Sequence, residues 1–341
     1  MYNITMNKLL SAQNLTEQEA KQIMNQIMQG ELTDAQIASF LTALRIKGET
    51  VEEILGCAQA MRNNAVQLKK NYQLAVDTCG TGGDGKGTFN ISTITAFVVA
   101  GAGLKVAKHG NRGVSSKSGS ADLLEALGID IQLTPVEVEK CLQEIGIAFF
   151  FAPIFHPAMK YAITPRREIG FRTIFNLLGP LTNPAGVKCQ VLGVYDPSLT
   201  EVIARVLVKL GTQEAMVVCS ESGIDEITLT EKTKISRINN GTVENFYLEP
   251  EDLGLGKCNL EDIQGSDADI NAKIALEILE NKIRNSRRDI VLANTAAALM
   301  TGGKAKNWEE GIKKAEESID SGAAFQKLKE LKAYSMRGLA R

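Results

Sequence analysis

Residues 77–93 read DTCGTGGDGKGTFNIST, a stretch in which five of seventeen residues are glycine. Glycine lets the backbone approach a ligand closely and turn its N–H groups toward it. A short apolar run at 74–76 precedes the stretch, and an apolar helical pattern at 93–102 follows it, so it is expected to join a strand to a helix. Because a helix N-terminus favours anions, the stretch predicts an anion-binding loop within a βαβ unit.

This glycine loop differs from two familiar phosphate-binding motifs. It lacks GxxxxGK(S/T), and Asp84 and Lys86 interrupt the glycine spacing of a dinucleotide fingerprint. A purely structural turn is the alternative interpretation. Four side chains that can donate hydrogen bonds favour ligand binding instead: Thr88, Asn90, Ser92 and Thr93.

Short apolar runs and helical segments alternate on the C-terminal side of the loop. Further strands are predicted at 104–107, 148–151, 190–194 and 215–219. Such alternation is typical of a mostly parallel sheet covered by helices. Residues 238–253 are more polar and turn-rich, which indicates a hairpin or a mobile excursion, and residues 270–334 are mostly helical in pattern.

The first seventy residues have an all-helical pattern. Capping-box signals at Thr16, Thr33 and Thr50 each precede an apolar run at helical spacing. Three amphipathic helices in succession need a common partner against which to bury their apolar stripes. The sequence therefore predicts an α/β protein, with a small N-terminal helical domain and a large α/β domain that contains a mostly parallel sheet. The change of pattern near residue 72 is the predicted boundary.

Composition narrows the class of protein. The chain has 341 residues, of which 44% are hydrophobic and 23% are charged, which is ordinary for a soluble globular protein. A net charge of −2 gives no global positive field for nucleic acid, so phosphates are expected to bind at a local site. No signal peptide or membrane span is recognised. Six scattered cysteines without a CxxC pair indicate reduced thiols and a cytoplasmic protein.

A second polar stretch, KHGNRGVSSKSGS at 108–120, follows a predicted strand. Parallel strands place their following loops at one edge of the sheet, where ligands bind in open α/β folds. Lys108, Arg112 and Lys117 bring positive charge, and four serines bring hydroxyls, which together suit a diphosphate. A solvated basic loop is the alternative. His109 lies within this stretch and is predicted to contact substrate.

Adjacent carboxylates at Asp225 and Glu226 come shortly after another predicted strand. Magnesium typically binds through one or two carboxylates together with substrate phosphates and water. An isolated Asp-Glu pair is usually an exposed turn, but two phosphate-type loops upstream favour a Mg²⁺ site here.

Three arginines, Arg166, Arg167 and Arg172, lie among apolar residues. A guanidinium can grip a carboxylate through two parallel hydrogen bonds and stack beside an aromatic ring. The cluster could therefore clamp an aromatic carboxylate. Ordinary arginines on a helix surface are the alternative.

Taken in this order, these motifs resemble the anthranilate phosphoribosyltransferase family, and the resemblance covers nearly the whole chain. The family shares its nucleoside phosphorylase/phosphoribosyltransferase-type fold with the pyrimidine-nucleoside phosphorylases. The resemblance implies a helical domain at 1–72 with a returning segment near 160–185, and an α/β domain at 73–341. It also implies a homodimer that associates through the helical domains, with no nucleic-acid or membrane partner.

The resemblance also implies roles for individual residues. Phosphoribosyl pyrophosphate would be bound by Gly80, Gly83, Asp84, Thr88, Asn90, Ile91, Ser92, Thr93, Lys108, His109, Gly110, Asn111, Arg112, Gly113, Val114, Ser115, Ser116 and Ser120. Mg²⁺ would be held by Ser92, Asp225 and Glu226. Anthranilate would be contacted by Gly80, Asn111 and Arg166.

The implied reaction transfers a phosphoribosyl group to the amino group of anthranilate, in L-tryptophan biosynthesis. An arylamine is already neutral near pH 7, and no general base is identified. Catalysis is expected from positioning the substrates and stabilising the charge of departing pyrophosphate. Two alternatives are a pyrimidine-nucleoside phosphorylase-like enzyme and a non-catalytic nucleic-acid-binding paralogue. The long donor-rich loop and the Asp225-Glu226 pair favour the transferase over both.

Overall fold

The computed structural model describes residues 2–70, 72, 74–113 and 116–337. Four helices come first: α1 (Tyr2–Leu10), α2 (Glu17–Met28), α3 (Asp34–Lys47) and α4 (Val51–Asn63). Thr16, Thr33 and Thr50 form the predicted capping boxes at the starts of α2, α3 and α4. The sequence predicts only these three helices, because α1 has no capping-box start.

A seven-stranded sheet forms the centre of the larger part of the chain. Its strands are β1 (Val76–Gly80), β2 (Val106–Gly110), β3 (Ile147–Phe151), β4 (Cys189–Gly193), β5 (Glu214–Ser220), β6 (Thr233–Asn239) and β7 (Thr242–Leu248). They are arranged in the order β3-β2-β1-β4-β5-β6-β7. The first five pair in parallel, and β6 and β7 are antiparallel additions at one edge. The prediction of a mostly parallel sheet is confirmed.

The described residues after β1 form eleven further α-helices. They are α5 (Ile91–Gly101), α6 (Ser120–Ala126), α7 (Pro135–Glu144), α8 (Ala152–Phe155), α9 (Lys160–Ile169), α10 (Ile174–Leu178), α11 (Leu199–Lys209), α12 (Ala268–Leu279), α13 (Ser286–Thr301), α14 (Trp308–Asp320) and α15 (Ala323–Ser335). Short 3₁₀ turns occupy Pro157–Met159, Gly179–Thr182, Pro250–Leu253 and Leu260–Ile263. Helix α5 is apolar around most of its circumference because it lies between the sheet and the helices α13 and α15.

The strands β1 and β2 lie further along the chain than the predicted runs at 74–76 and 104–107. Those runs are predicted from apolar residues alone, whereas the strands continue into polar residues. Asp77 is buried in β1, where its carboxylate accepts hydrogen bonds from the Asn183 side chain at 2.8 Å and the His109 N–H at 3.2 Å. A polar side chain that is satisfied by distant partners can remain in a buried strand. The expectation that Lys108 and His109 lie in a loop is therefore wrong.

The polar segment predicted as a hairpin or excursion is a hairpin, and it begins earlier than residue 238. Strands β6 and β7 pair along their whole length, and β6 also pairs with β5 on its other side. Asn240 and Gly241 form the turn with φ of 47° and 82°. Positive φ at both central residues is typical of a type I′ hairpin turn.

The segment at 160–178 returns to the N-terminal helices. Helix α9 contacts α2 and α3, and helix α10 contacts α3 and α4. Ala162 and Ile174 are buried in one apolar cluster with Ile23 and Leu41. The carboxyl ends of β1, β2, β4 and β5 meet at the sheet edge nearest the loops described below. Among the residues described, none of the helices combines the length and apolar character needed to cross a membrane.

Candidate active site

The glycine loop leaves the carboxyl end of β1 and enters α5, as predicted. Four of its glycines have φ between 63° and 73°: Gly82, Gly83, Gly85 and Gly87. Other residues rarely adopt this conformation. The Gly82 N–H donates to Asp225 Oδ2 at 2.8 Å, and a Cβ on Gly80 would collide with the same oxygen. The loop therefore lies directly against the Asp225 carboxylate.

Asp225 and Glu226 follow the carboxyl end of β5. Glu226 Oε1 accepts a hydrogen bond from the Ser92 N–H at 3.1 Å, in the first turn of α5. Gly193 ends β4 beside them, and a Cβ there would overlap the Asp225 backbone carbonyl. Because the end of β4 lies against the segment that follows β5, the carboxylate pair reaches the glycine loop and the N-terminus of α5.

Burial and mutual repulsion act on a group of three carboxyls here. Burial raises the pKa of Asp225 to about 6, and the Asp84 carboxylate adds repulsion. Burial, and then repulsion by Asp225, hold the pKa of Glu226 well above its usual value, while Lys108 opposes that shift. Burial also raises the pKa of Asp84, whose Oδ2 is enclosed without a hydrogen-bond partner among the described residues. Clustered carboxyls that are costly to ionise form an environment that a cation would stabilise.

Lys108 lies beneath the loop. Its Nζ donates to the Thr78 carbonyl at 2.5 Å and to Ser92 Oγ at 3.3 Å. Burial lowers the pKa of Lys108, and the Asp77 carboxylate opposes that effect. The ammonium is thus held at the first turn of α5, next to Ser92, rather than in solvent.

His109 lies next to a second histidine, His156, which is not among the predicted site residues. Its ring centroid is 5.1 Å from that of His156, and both residues are buried. Burial holds the pKa of His109 well below its usual value and lowers that of His156 to about 4. Neither Nε2 atom has a hydrogen-bond partner among the described residues. Two neutral imidazoles therefore offer unused polar atoms beside the 3₁₀ turn Gly179–Thr182.

The loop after β2 is arranged around Asp122 on α6. Asp122 Oδ2 accepts from the N–H groups of Gly113 and Gly119, both at 2.8 Å. Arg112 pairs with Glu125 at 2.5 and 2.8 Å and with Asp122 at 3.2 Å. The charge of Arg112 is therefore already paired within the protein. Ser120 Oγ donates to the Asn111 carbonyl at 3.2 Å.

Two of the predicted substrate-binding residues are not accessible through their side chains. Ile91 and Thr93 are each about 1% exposed, so these residues could meet a ligand only through their backbone. Thr88 forms an isolated bridge with Gln264. The remaining positions of the second loop that the resemblance selected, Val114 and Ser115, lie outside the described residues.

The three arginines have different environments. The guanidinium of Arg166 lies 5.1 Å from the Phe175 ring centroid, and no described carboxylate pairs with it. Burial lowers the pKa of Arg166. Arg172 stacks on Tyr195 at 4.4 Å and donates to the Gly83 carbonyl, so it fixes the glycine loop. Arg167 is exposed.

Two buried asparagines support the site, and no local sequence signal predicts the role of either. Asn183 Nδ2 donates to the Asp77 carboxylate and to the Ala107 carbonyl, both at 2.8 Å. Asn294, on α13, accepts from the Ile227 N–H at 3.0 Å and donates to the Ile227 carbonyl at 2.8 Å. It thereby fixes the peptide next to Glu226. A lone asparagine in a helical pattern gives no sequence signal for such a contact.

No three His, Cys, Asp or Glu side chains are grouped to hold a metal by themselves within the described part of the chain. The carboxylates of Asp225 and Glu226 nevertheless suit Mg²⁺, which usually keeps water and takes further oxygens from substrate phosphates. The donor set fits an ion that is shared with a phosphate-bearing ligand.

Comparison with known families gives two matches that together span most of the chain. A model described as "Glycosyl transferase family, helical bundle domain" matches residues 5–65. A second, described as "Glycosyl transferase family, a/b domain", matches residues 72–325. These matches agree with the helical and α/β parts of the structure.

Individual relatives match over nearly their full length. The anthranilate phosphoribosyltransferase of Moorella thermoacetica is 54% identical over 334 residues, which cover 98% of each chain. The crystal structure of anthranilate phosphoribosyltransferase from Thermus thermophilus has a TM-score of 0.92 and 40% identity, covering 97% of this chain and 99% of that one.

The anthranilate phosphoribosyltransferase of Saccharomyces cerevisiae, in complex with PRPP and Mg, has a TM-score of 0.90 and 31% identity over 98% of both chains. A structure of that enzyme in complex with 4-fluoroanthranilate has a TM-score of 0.88 and 30% identity over 99% of both chains. With the fold, the glycine loop and the carboxylate pair all in place, these full-length similarities show that the chain belongs to the anthranilate phosphoribosyltransferase family.

Proposed function

We propose that the chain transfers the phosphoribosyl group of 5-phosphoribosyl 1-pyrophosphate to the amino group of anthranilate. The products are N-(5-phosphoribosyl)anthranilate and pyrophosphate, within L-tryptophan biosynthesis. The observation that carries the proposal is the 54% identity to an anthranilate phosphoribosyltransferase over 98% of both chains. The meeting of the glycine loop, Lys108 and the carboxylate pair supports it.

The donor, phosphoribosyl pyrophosphate, is assigned to the glycine loop, the first turn of α5 and the strand–loop segment 108–120. Open backbone N–H groups and a helix N-terminus suit phosphate oxygens. The buried ammonium of Lys108 supplies positive charge to the same place. Arg112 could join them only after it leaves Glu125 and Asp122.

Ser92, Asp225 and Glu226 are assigned to Mg²⁺. Glu226 already hydrogen-bonds the backbone of Ser92, so these two oxygen donors are neighbours. The raised pKa values of Asp225 and Glu226 are what unneutralised carboxylates show when they are buried together. When bound, the ion neutralises charge on the departing pyrophosphate.

The acceptor, anthranilate, is assigned to Gly80, Asn111 and Arg166. Arg166 is a partly buried guanidinium beside an aromatic ring, with no carboxylate partner among the described residues. An aromatic carboxylate supplies both the missing charge and a flat face. Held this way, anthranilate presents its amine toward the edge of the sheet where the donor is placed.

The mechanism proposed here uses no strong general base. The amine nucleophile is neutral at pH 7, and the lowered pKa values of His109 and His156 make both imidazoles weak bases. Displacement at ribose C1 passes through an oxocarbenium-like state, as in glycoside chemistry. The protein's contribution is to position the two substrates and to stabilise the leaving group.

Product analysis tests the proposal. The protein with Mg²⁺, anthranilate and phosphoribosyl pyrophosphate should release one pyrophosphate for each anthranilate consumed. A pyrimidine-nucleoside phosphorylase-like enzyme would instead consume inorganic phosphate with a pyrimidine nucleoside and release the free base. A non-catalytic nucleic-acid-binding paralogue would do neither. Phosphorolysis without pyrophosphate release would contradict the assignment.

We also propose that the chain is divided into a helical domain at 1–72, completed by 160–185, and an α/β domain at 73–341. The contacts of α9 and α10 with α2, α3 and α4 support this division. A cytoplasmic location is proposed as well, and six cysteines without a disulfide partner among the described residues are in keeping with it.

A homodimer through the helical domain is the proposed assembly. Large apolar side chains are exposed on three helices of this region, α1, α3 and α9, and α3 contacts both of the others. The exposed fractions of these side chains are 65% for Ile4, 74% for Leu10, 81% for Ile46 and 56% for Ile163. Clusters of exposed apolar residues mark protein–protein interfaces.

Ile163→Asp should convert the dimer to a monomer, because a carboxylate cannot be buried in such an interface without a partner. Sedimentation velocity measures the outcome. Val136→Asp is the control, since Val136 is 51% exposed but lies on α7, outside the helical region. A dimer that Val136→Asp disrupts and Ile163→Asp does not would show that the interface lies elsewhere. A monomeric wild-type protein would refute the proposed assembly.

Gly83→Ala tests the glycine loop. Gly83 has a φ of 73°, and a side chain there would both strain the loop and reduce backbone access to the donor. Affinity for phosphoribosyl pyrophosphate, measured by calorimetry, should fall about tenfold or more. The control is Gly254→Ala, which has a similar φ of 66° in a turn away from the site and carries only the strain. Equal affinity of the two variants for phosphoribosyl pyrophosphate would show that the glycine loop is only a structural turn.

A further inference from the structure

Asn271, in the first turn of α12, reaches the glycine loop from 181 residues away in sequence. Its Nδ2 donates to Asn90 Oδ1 at 2.9 Å, and its own Oδ1 accepts from the Ser266 N–H at 2.9 Å. Asn271 is only 2% exposed. The Asn271 amide is therefore fixed through its oxygen by Ser266 and bonded through its nitrogen to Asn90.

Asn90 is the N-cap residue of α5, but its side chain makes no cap hydrogen bond. An N-cap asparagine usually accepts from the backbone N–H two or three positions into the helix. Here its oxygen accepts from Asn271 and from Ser118 Oγ at 3.2 Å, while its Nδ2 donates to the Ser118 carbonyl at 3.1 Å. The amide is turned away from the helix that it precedes.

The N–H groups in the first turn of α5 consequently donate to acceptors other than the Asn90 side chain. The N–H two positions into the helix, that of Ser92, donates to the Glu226 carboxylate instead of to Asn90. The Thr93 N–H donates to the Asn90 carbonyl at 3.1 Å, and the Ile91 N–H donates to the Phe89 carbonyl at 2.7 Å. Asn90 thus contributes its backbone to the first turn of α5, while its side-chain amide is directed to Asn271 and Ser118.

The backbone around Asn271 is also attached to the loop. Gly265 N–H donates to the Gly87 carbonyl at 2.8 Å, and Phe89 N–H donates to the Ile263 carbonyl at 3.3 Å. A Cβ on Gly265 would collide with both Asn271 and the Phe89 backbone. Residues 263–271 therefore lie across the C-terminal half of the glycine loop. Within this segment, Asn271 is the residue whose side chain bonds Asn90.

We propose that Asn271 is a positioning residue that holds the side-chain amide of Asn90, in the glycine loop, in the orientation in which it contacts the phosphate-bearing donor. This inference rests on the proposed assignment of the donor to that loop. Without Asn271, the Asn90 amide keeps only its contacts with Ser118, and the donor must order it on binding. This cost weakens donor binding in the ground state and the transition state equally, so KM rises while kcat does not change.

Asn271→Ala and Asn271→Asp test the inference. The aspartate variant keeps the shape and the acceptor for Ser266 but offers no N–H to Asn90 Oδ1. The alanine variant removes the same N–H without burying a carboxylate, and its melting temperature checks that the fold is retained. Both variants should raise the KM for phosphoribosyl pyrophosphate about tenfold, with kcat and the KM for anthranilate unchanged within about twofold. A wild-type donor KM in the aspartate variant overturns the proposal.

A double-mutant cycle with Asn90→Ala separates positioning from general support of the fold. If Asn271 acts through Asn90, Asn271→Ala should add nothing to the donor KM in the Asn90→Ala background. An equal increase in both backgrounds contradicts the proposed route. Asn64→Ala is the matched control, because it removes an asparagine–asparagine hydrogen bond of 2.9 Å to Asn25 in the helical region. It should lower the melting temperature without changing the donor KM.

Calorimetric titration of the wild-type protein with phosphoribosyl pyrophosphate and Mg²⁺ distinguishes the two possible failures. A wild-type protein that does not bind the donor refutes the proposed function, and with it this inference. A wild-type protein that binds the donor, beside an Asn271→Asp variant of equal affinity, refutes the inference alone.

Discussion

Glu226→Gln is expected to lower kcat/KM by about a hundredfold or more, because a lost metal contact removes several kcal/mol of charge stabilisation at the leaving group. Glutamine keeps an oxygen that can accept the Ser92 N–H, so the first turn of α5 should remain intact. Activity at rising Mg²⁺ concentration measures the effect, and the variant should need more Mg²⁺ to reach half of its maximal rate. Asp225→Asn should behave in the same way.

The stability of the metal-free Glu226→Gln variant should not fall with its activity. Burial and the neighbouring Asp225 hold the pKa of Glu226 above its usual value, which means that the ionised carboxylate is disfavoured in the metal-free protein. Removing that charge should leave the metal-free melting temperature unchanged or higher, as is common for residues kept for activity at a cost in stability.

Glu221→Gln is the matched control. Glu221 lies on the same connection but is exposed and pairs with Lys232 on the surface, where such pairs contribute little. It should retain wild-type kinetics. Wild-type activity of both Asp225→Asn and Glu226→Gln at limiting Mg²⁺ would show that the carboxylate pair does not hold the metal.

Arg166→Ala should raise the KM for anthranilate about thirtyfold or more while changing that for phosphoribosyl pyrophosphate little. The loss of a charged hydrogen-bond partner costs roughly 2–4 kcal/mol, and each 1.4 kcal/mol is a factor of ten. The guanidinium stacks on Phe175 and has no carboxylate partner among the described residues, so its removal leaves no buried charge unpaired. Steady-state kinetics with each substrate varied in turn separates the two KM values.

Arg167→Ala is the control for Arg166, since the neighbouring side chain is exposed and carries the same charge. It should leave both KM values near those of the wild type. The reverse pattern for Arg166→Ala, with weak donor binding and normal dependence on anthranilate, would place Arg166 on the phosphate side of the site.

Local signals in the sequence were sufficient for much of the fold. Thr16, Thr33 and Thr50 start helices because a capping box involves residues only three positions apart. The glycine loop was equally accessible, because positive φ at closely spaced glycines is a local requirement. The parallel sheet followed from the alternation of apolar runs.

Long-range contacts explain what the sequence could not predict. The ends of β1 and β2 were misplaced because Asp77 and Lys108 are polar residues whose partners come from elsewhere in the fold. Asn183, Asn271 and Asn294 were missed for the same reason, since each stabilises its part of the site across a large separation in sequence. Pairing of Arg112 with Asp122 and Glu125 is likewise visible only once α6 is in place.

The structure concentrates opposing charges at one edge of the sheet. Asp84, Asp225 and Glu226 lie near the buried ammonium of Lys108, and α5 points its N-terminus at the same place. Such an arrangement is poised for a ligand that brings both a cation and phosphate oxygens. Arg166, which lies beside Phe175, is the proposed anion site for the second substrate.

Loss of anthranilate fluorescence tests the central claim most directly. The purified protein should consume anthranilate only when Mg²⁺ and phosphoribosyl pyrophosphate are both present. Omission of either one, or the Glu226→Gln substitution, should reduce the rate to near background. No change of fluorescence with the wild-type protein and the complete mixture would contradict the assignment of the chain as a phosphoribosyl transferase acting on anthranilate.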